Sequence, residues 1–165
     1  MTADVRAITV REPWASCIAS GVKLIENRGA GTNYRGKLLI HTSQQTDNTA
    51  VHDGRVRAAL WPGVTDVVQL YSALNGLDGG VVIAVAELVD VHTAEDIPTL
   101  TGPPGTCCEP WGERVHNGRY AKHLVLANVR RLRHPVPARG ALGLWTPPAD
   151  IAGQVRQELA EAAPW

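Results

Sequence analysis

Residues 8–43 read ITVREPWASCIASGVKLIENRGAGTNYRGKLLIHTS, and their apolar runs and breakers decide the fold class. Val5–Val10 alternates as a strand. Pro13 is placed to open a helix at its first position. Trp14–Ser20 is small and apolar, and Gly21 is placed to stop it. Lys23–Arg28 reads as extended, Gly29–Asn33 as a loop and Gly36–Ser43 as a second strand. Further on, Ala50–Leu60 and Val64–Leu74 have helical spacing, broken by Pro62-Gly63. Val81–His92 is a long β-branched strand. Ile97–Glu113 is rich in Pro and Gly and reads as a loop. Tyr120–Leu132 and Leu142–Trp145 read as strands, and Ala149–Ala163 as a helix. This order is not a regular βαβα alternation, which excludes a doubly wound parallel sheet. The expectation is an α+β domain: a small mixed β-barrel with short flanking and inserted helices. It spans residues 1–165, with a helical insert at about 46–76 and a C-terminal helix at about 149–163.

A chain of 165 residues suits one domain, and 44% apolar residues suffice for a core. No repeat, low-complexity tract or apolar run of about 18 residues is present, so no membrane span is expected. Met1–Val10 carries Asp4 and Arg6 and reads as a strand, not a signal peptide. Cys17, Cys107 and Cys108 are too few for a disulfide scaffold and point to a reducing, cytoplasmic setting. The formal net charge is zero, which excludes a broad grip on duplex nucleic acid through bulk charge. The charge is segmented, however. Residues 1–43 hold six basic and three acidic groups, and residues 109–140 hold seven and two. Residues 44–103 hold two basic and eight acidic groups. The two basic segments would form a local anion-binding patch if they shared a face.

Four groups of residues carry chemistry. Arg11-Glu12-Pro13-Trp14 sits where a strand meets a helix, whose free N–H groups attract anions. Trp14 suits stacking on a base, and Arg11 suits a phosphate. In a regular strand Lys23, Ile25 and Asn27 share one face, and Leu24, Glu26 and Arg28 the other. Glu26 is then suited to a base edge and Arg28 to phosphate or a carbonyl. Tyr34 and Arg35 precede a strand that places His41 and Ser43 on one face. Ser and His along one strand do not make a triad, and G-x-S-x-G is absent. Cys107-Cys108 falls in the same part of the chain as His116 and His123. Adjacent cysteines rarely chelate one metal well and no C-x-x-C occurs, so no metal site is expected, only free thiols in a loop.

Three blocks together resemble the ASCH family (activating-signal-cointegrator homology domains), part of the PUA-like group of small β-barrels. Ile8–Ala15, ITVREPWA, is similar to the family's opening strand and Q-P-W-A turn. Ser20–Arg28, SGVKLIENR, is similar to its G-x-K-x-x-E-x-R segment. Tyr34–Ser43, YRGKLLIHTS, is similar to the next strand with its H-x-S end. Gly80–Val91 and Tyr120–Trp145 resemble the later barrel strands. Glu12 departs from the usual Gln, and an ionised carboxylate cannot donate as an amide can.

The resemblance implies a cleft beside the barrel that binds single-stranded RNA or a modified nucleotide. The ligand-binding candidates are Arg11, Glu12, Trp14, Lys23, Glu26, Arg28, Tyr34, Arg35, His41 and Ser43. It also implies an alternative, a small hydrolase. Some bacterial members deacylate acetylated cytidine with a Lys, a Thr three residues later and a Glu, and a related member acts as a ribonuclease. Lys23 matches that Lys, Glu26 stands in the place of the Thr, and Glu87 is a distant candidate carboxylate. In this reading Lys23 is base or nucleophile and Glu26 a proton shuttle. A third reading is a protein-interaction module docking through Ala50–Leu74. Its apolar residues Val64, Val67, Val68, Tyr71 and Leu74 fit packing on the barrel better than an interface. No cofactor is expected, and the oligomeric state is left open.

Overall fold

The computed structural model describes residues 4–161. Met1–Ala3 and the last two residues of the predicted helix 149–163 lie outside the described residues. The first strand, β1 (Arg6–Glu12), leads into helix α1 (Trp14–Ala19) and then β2 (Ile25–Arg28) and β3 (Gly36–Thr46). A 3-10 turn (Asn48–His52), α2 (Gly54–Leu60) and α3 (Val67–Asn75) form the insert. The long β4 (Val81–Thr93) follows. Two two-residue ladders come next: β5 (Asp96–Ile97) with β6 (Gly105–Thr106), then β7 (Val115–His116) with β8 (Arg119–Tyr120). The chain ends in β9 (Lys122–Pro137), β10 (Leu144–Trp145) and α4 (Ala149–Glu161).

Six strands form one mixed sheet in the order β10-β1-β3-β4-β9-β2. Only β1 and β3 run parallel, with Ile8 beside Ile40. The expected α+β class and mixed strand directions are present. The sheet curls as a half-barrel, and among the described residues its edge strands, β2 and β10, only four and two residues long, do not pair with each other. Three register shifts between β4 and β9 supply curvature. Asn128, at φ +50°, sits in one of them and donates to Glu87 Oε2 at 2.8 Å.

Both sheet faces are covered. On one, α1 packs Ile18 and Ala15 against Ile8, Val10, Leu38, Ile40, Leu88 and Leu124. Each fully buried aliphatic side chain there contributes about 1.5–3 kcal/mol. On the other, Val155, Ile151 and Leu159 of α4 cover Ala7, Leu39, Val82, Val85 and Leu132. The strand alternation Leu38, Leu39, Ile40 feeds these two cores in turn.

The insert differs from its predicted packing. Leu74 and Leu70 bury against Val51, with Val64 and Tyr71 beside them, in a cluster of the insert's own. Val67 and Val68 are exposed. Helices α2 and α3 carry Asp53 and Asp66 as N-caps, each accepting from a backbone N–H two or three residues on. No helix among the described residues is long and apolar enough to cross a membrane.

Candidate functional site

A cleft of about 1370 Å3 opens beside the C-terminal ends of β1 and β3. Its lining includes seven of the ten candidate residues: Arg11, Trp14, Lys23, Glu26, Arg28, His41 and Ser43. Each reaches it through its element. Strand β1 delivers Arg11, the first residue of α1 is Trp14, β2 presents Glu26 and Arg28, and β3 presents His41 and Ser43.

Glu12, Tyr34 and Arg35 are placed elsewhere. Glu12 turns under α1, where its carboxylate accepts from Ser16 N at 3.0 Å and Ser16 Oγ at 2.9 Å. It therefore caps the helix whose N-terminus looked free for an external anion. Pro13 precedes the first helical residue and offers no side-chain cap, which leaves that task to Glu12. Burial pushes the Glu12 pKa up, and the two Ser16 hydrogen bonds offset this only in part. The Tyr34 hydroxyl lies 2.6 Å from Lys37 O and 2.9 Å from Asp4 O. Arg35 donates to Tyr34 O and Thr32 O and pairs with Asp90 at 3.5 Å. These two residues hold the loop before β3. Glu87 is likewise outside the cleft lining, bonded to Asn128.

The strand alternation expected for Lys23–Arg28 fails at its start. Lys23 and Leu24 precede β2 in a turn closed by Lys23 N donating to Cys17 O at 3.1 Å, with Gly21 at φ +79° beyond the end of α1. Lys23 therefore folds back onto Glu26 instead of facing away from it. Its Nζ lies 2.9 Å from Glu26 Oε2 and 2.5 Å from Ile25 O. Arg28 Nε lies 3.0 Å from Glu26 Oε1, and Arg28 Nη2 donates to Thr9 O at 2.7 Å. Lys23 and Glu26 are nearly inaccessible. Burial acts to raise the Glu26 pKa, but the Lys23 ammonium and the Arg28 guanidinium outweigh it and hold the carboxyl below its usual range. A cation–carboxylate–cation row is thus set into the cleft wall.

His41 is occupied by structure. Its Nε2 lies 3.0 Å from Ala138 O and its Nδ1 3.2 Å from Thr9 Oγ1, a hydroxyl that accepts from Trp145 Nε1 and so has its proton to give to His41. This network assigns the ring proton to Nε2. Burial lowers the His41 pKa against the opposing Ala138 bond, which favours the neutral ring. With both nitrogens engaged, His41 does not activate Ser43, whose Oγ accepts from Gln45 N.

Several cleft residues were missed in the sequence. Asn27 is buried and clamps the opposite wall: Nδ2 donates to Trp111 O and Oδ1 accepts from Glu113 N, each at 2.9 Å. Asp47 accepts from Trp14 Nε1 at 3.0 Å and fixes that ring. Arg55 of α2 lies over the Trp111 ring, 4.8 Å from its centroid, and donates to Pro110 O. Arg139 lines the far side. Five basic side chains (Arg11, Lys23, Arg28, Arg55, Arg139) and three acidic ones (Glu26, Asp47, Glu113) line the cleft. Arg11 and Arg139 have no ion-pair partner among the described residues, and Arg11 is held only by Gln45 Oε1 at 3.3 Å. The late basic segment contributes little else: Arg114 pairs with Asp96, and Arg130 donates to Leu159 O. His116 lines the cleft with Glu113, whereas His123 lies beside the free thiol of Cys107.

Comparison with known proteins follows the same outline. The family model for the ASCH domain matches residues 8–135. No curated protein matches the sequence. Among solved structures, that of ASCH from Zymomonas mobilis superposes with a TM-score of 0.52 at 12% identity, covering 98% of this chain and 96% of that one. Two single-residue variants of the Zymomonas mobilis protein each superpose with a TM-score of 0.53 at 11% identity. They cover 93% of this chain and 97% and 95% of theirs. At these identities the likeness is one of fold, the PUA-like curled sheet.

Proposed function

We propose, from the premise that this chain belongs to the ASCH domain family, that its cleft binds single-stranded RNA or a modified nucleotide. ASCH domains are generally thought to bind RNA. One observation carries the reading: Trp14, fixed by Asp47, shares the cleft with Arg11 and Arg139, two exposed guanidiniums without acidic partners among the described residues. An indole supplies a stacking surface for any base, and free guanidiniums take phosphate. The buried Lys23–Glu26–Arg28 row presents polar atoms at fixed positions, suited to the edge of one base. The protein works in the cytoplasm, a setting that three free thiols support.

The test is fluorescence anisotropy with a short labelled single-stranded RNA over a salt series. Arg11→Ala combined with Arg139→Ala is the useful variant, since both side chains are exposed and the fold does not depend on them. It should weaken binding and reduce the salt slope by about 0.7 for each cation removed. Binding that is absent at low salt, or unchanged in this variant, contradicts the proposal.

A second reading rests on the same buried row. Charged groups desolvated in a cleft are a recurrent sign of catalysis. Lys23 and Glu26 would act on an acylated cytidine or an RNA phosphodiester. Incubation with both substrate classes and analysis of products decides it: turnover abolished by Lys23→Met supports a hydrolase, and no product from either leaves binding alone.

A further inference from the structure

His92, Cys107, Cys108 and His123 converge on the side of the β4–β9 ladder, and none of them lines the cleft. Their ligand atoms all lie within 4.8 Å of one another. Cys107 Sγ is 3.4 Å from His123 Nδ1 and 3.7 Å from His92 Nε2, and Cys108 Sγ is 3.3 Å from His92 Nε2. Zinc bonds of about 2.3 Å to sulfur and about 2.0–2.1 Å to nitrogen place the corners of a tetrahedron about 3.4–3.8 Å apart. The three spacings of 3.3–3.7 Å lie close to that range, and the 4.8 Å bound on the rest leaves a small inward movement for the ion to draw the four together. We propose that these four side chains form a tetrahedral two-sulfur, two-nitrogen site for a zinc-class divalent cation.

Three further features agree. Adjacent residues in an extended chain point to opposite sides, so neighbouring cysteines seldom reach one ion. Here Cys108 has φ +65°, a conformation few side chains adopt, and the reversal brings both sulfurs to one point. The outer ring nitrogens are held as those of metal-bound imidazoles are. His92 Nδ1 lies 2.8 Å from Asp90 Oδ2, and His123 Nε2 lies 2.8 Å from Glu113 O. Cys107 Sγ also accepts from Glu95 N at 3.3 Å. Gly112 admits the loop to this packing: a Cβ there would stand 2.5 Å from Cys107 O and 2.8 Å from His123 Cε1. Two thiolates balance a divalent ion, and the partly exposed His92 gives it access from solvent.

The site joins β4 and β9 to the loop that carries Trp111 and Glu113, one wall of the cleft. A bound ion would therefore brace that wall from behind. The test uses the full chain purified under reducing conditions, stripped by a chelator and titrated with Zn2+ or Co2+. About one equivalent should bind and raise Tm. The cobalt form should show a tetrahedral visible band with thiolate-to-cobalt charge transfer. Both should vanish in Cys108→Ser and in His92→Ala and persist in Cys17→Ser, whose thiol is buried away from the site. Wild-type stoichiometry and spectrum need no variant to fold. Less than about a tenth of an equivalent bound, or a cobalt spectrum untouched by Cys108→Ser, overturns the proposal.

Discussion

Glu12 lies under the first turn of α1 with no cation in salt-bridge reach among the described residues, whereas Glu26 lies between Lys23 and Arg28. Burial therefore raises the pKa of the first, and the two cations overcome burial to lower that of the second. The pH consequences have opposite sign. For Glu12, stability is fully present below the unfolded value near 4.5 and declines as pH rises through the higher folded value. Glu12→Gln keeps an acceptor for Ser16 N and adds a donor for Ser16 Oγ. Its Tm should exceed wild type at pH 8 and match it at pH 4; a lower Tm at pH 8 would refute this account of the cap. For Glu26, stability is present above the unfolded value near 4.5 and is lost as pH falls through the lower folded value. Glu26→Gln leaves two cations without their carboxylate. It should cost about 3–5 kcal/mol in urea unfolding at pH 7, with the difference shrinking in acid.

At the scale of elements, the cleft depends on a loop whose own ladders are only two residues long. Asn27 ties that loop to β2 through Trp111 O and Glu113 N. Asn27→Ala should lose about 1–3 kcal/mol and speed hydrogen exchange at the Glu113 amide, while β4 amides stay protected. The insert is the other semi-independent piece. Leu74→Ala should cost about 2–5 kcal/mol, read in Tm, by opening a cavity among Val51, Leu70 and Leu74. Most elements were legible in the sequence because strand alternation and Gly or Pro breakers are local signals. Strand β9 runs past its expected end at Leu132. Pro135 and Pro137 lie in the added stretch, yet Val136 pairs with Val82 and Pro137 with Val81 at the end of the ladder. The fold back of Lys23 onto Glu26 was not legible, since the turn before β2 breaks the assumed alternation. His92 and Asn27 looked like ordinary strand residues. Their roles arise from the loop at residues 107–113, far along the chain, that folds over them.

For the whole molecule, zero net charge proved a poor guide to the local field. Of the seven Lys and Arg side chains in the late segment only Arg139 lines the cleft, while Arg55 comes from the acidic insert. The cleft lining draws five basic and three acidic side chains, only part of them from the two basic segments. Because the site is a compact cleft and not a basic face, binding should favour short single strands over duplex, with affinity falling as salt rises. Trp14→Ala should cost about 1–3 kcal/mol of that affinity. The most direct measurement is a two-dimensional 15N NMR titration with a short single-stranded RNA, reading the tryptophan indole signals. The Trp14 signal should shift saturably and lose its response in the Arg11→Ala, Arg139→Ala variant, while that of Trp61, in the insert, stays in place. No shift at Trp14 under low salt, or shifts confined to indoles outside the cleft, would contradict the account.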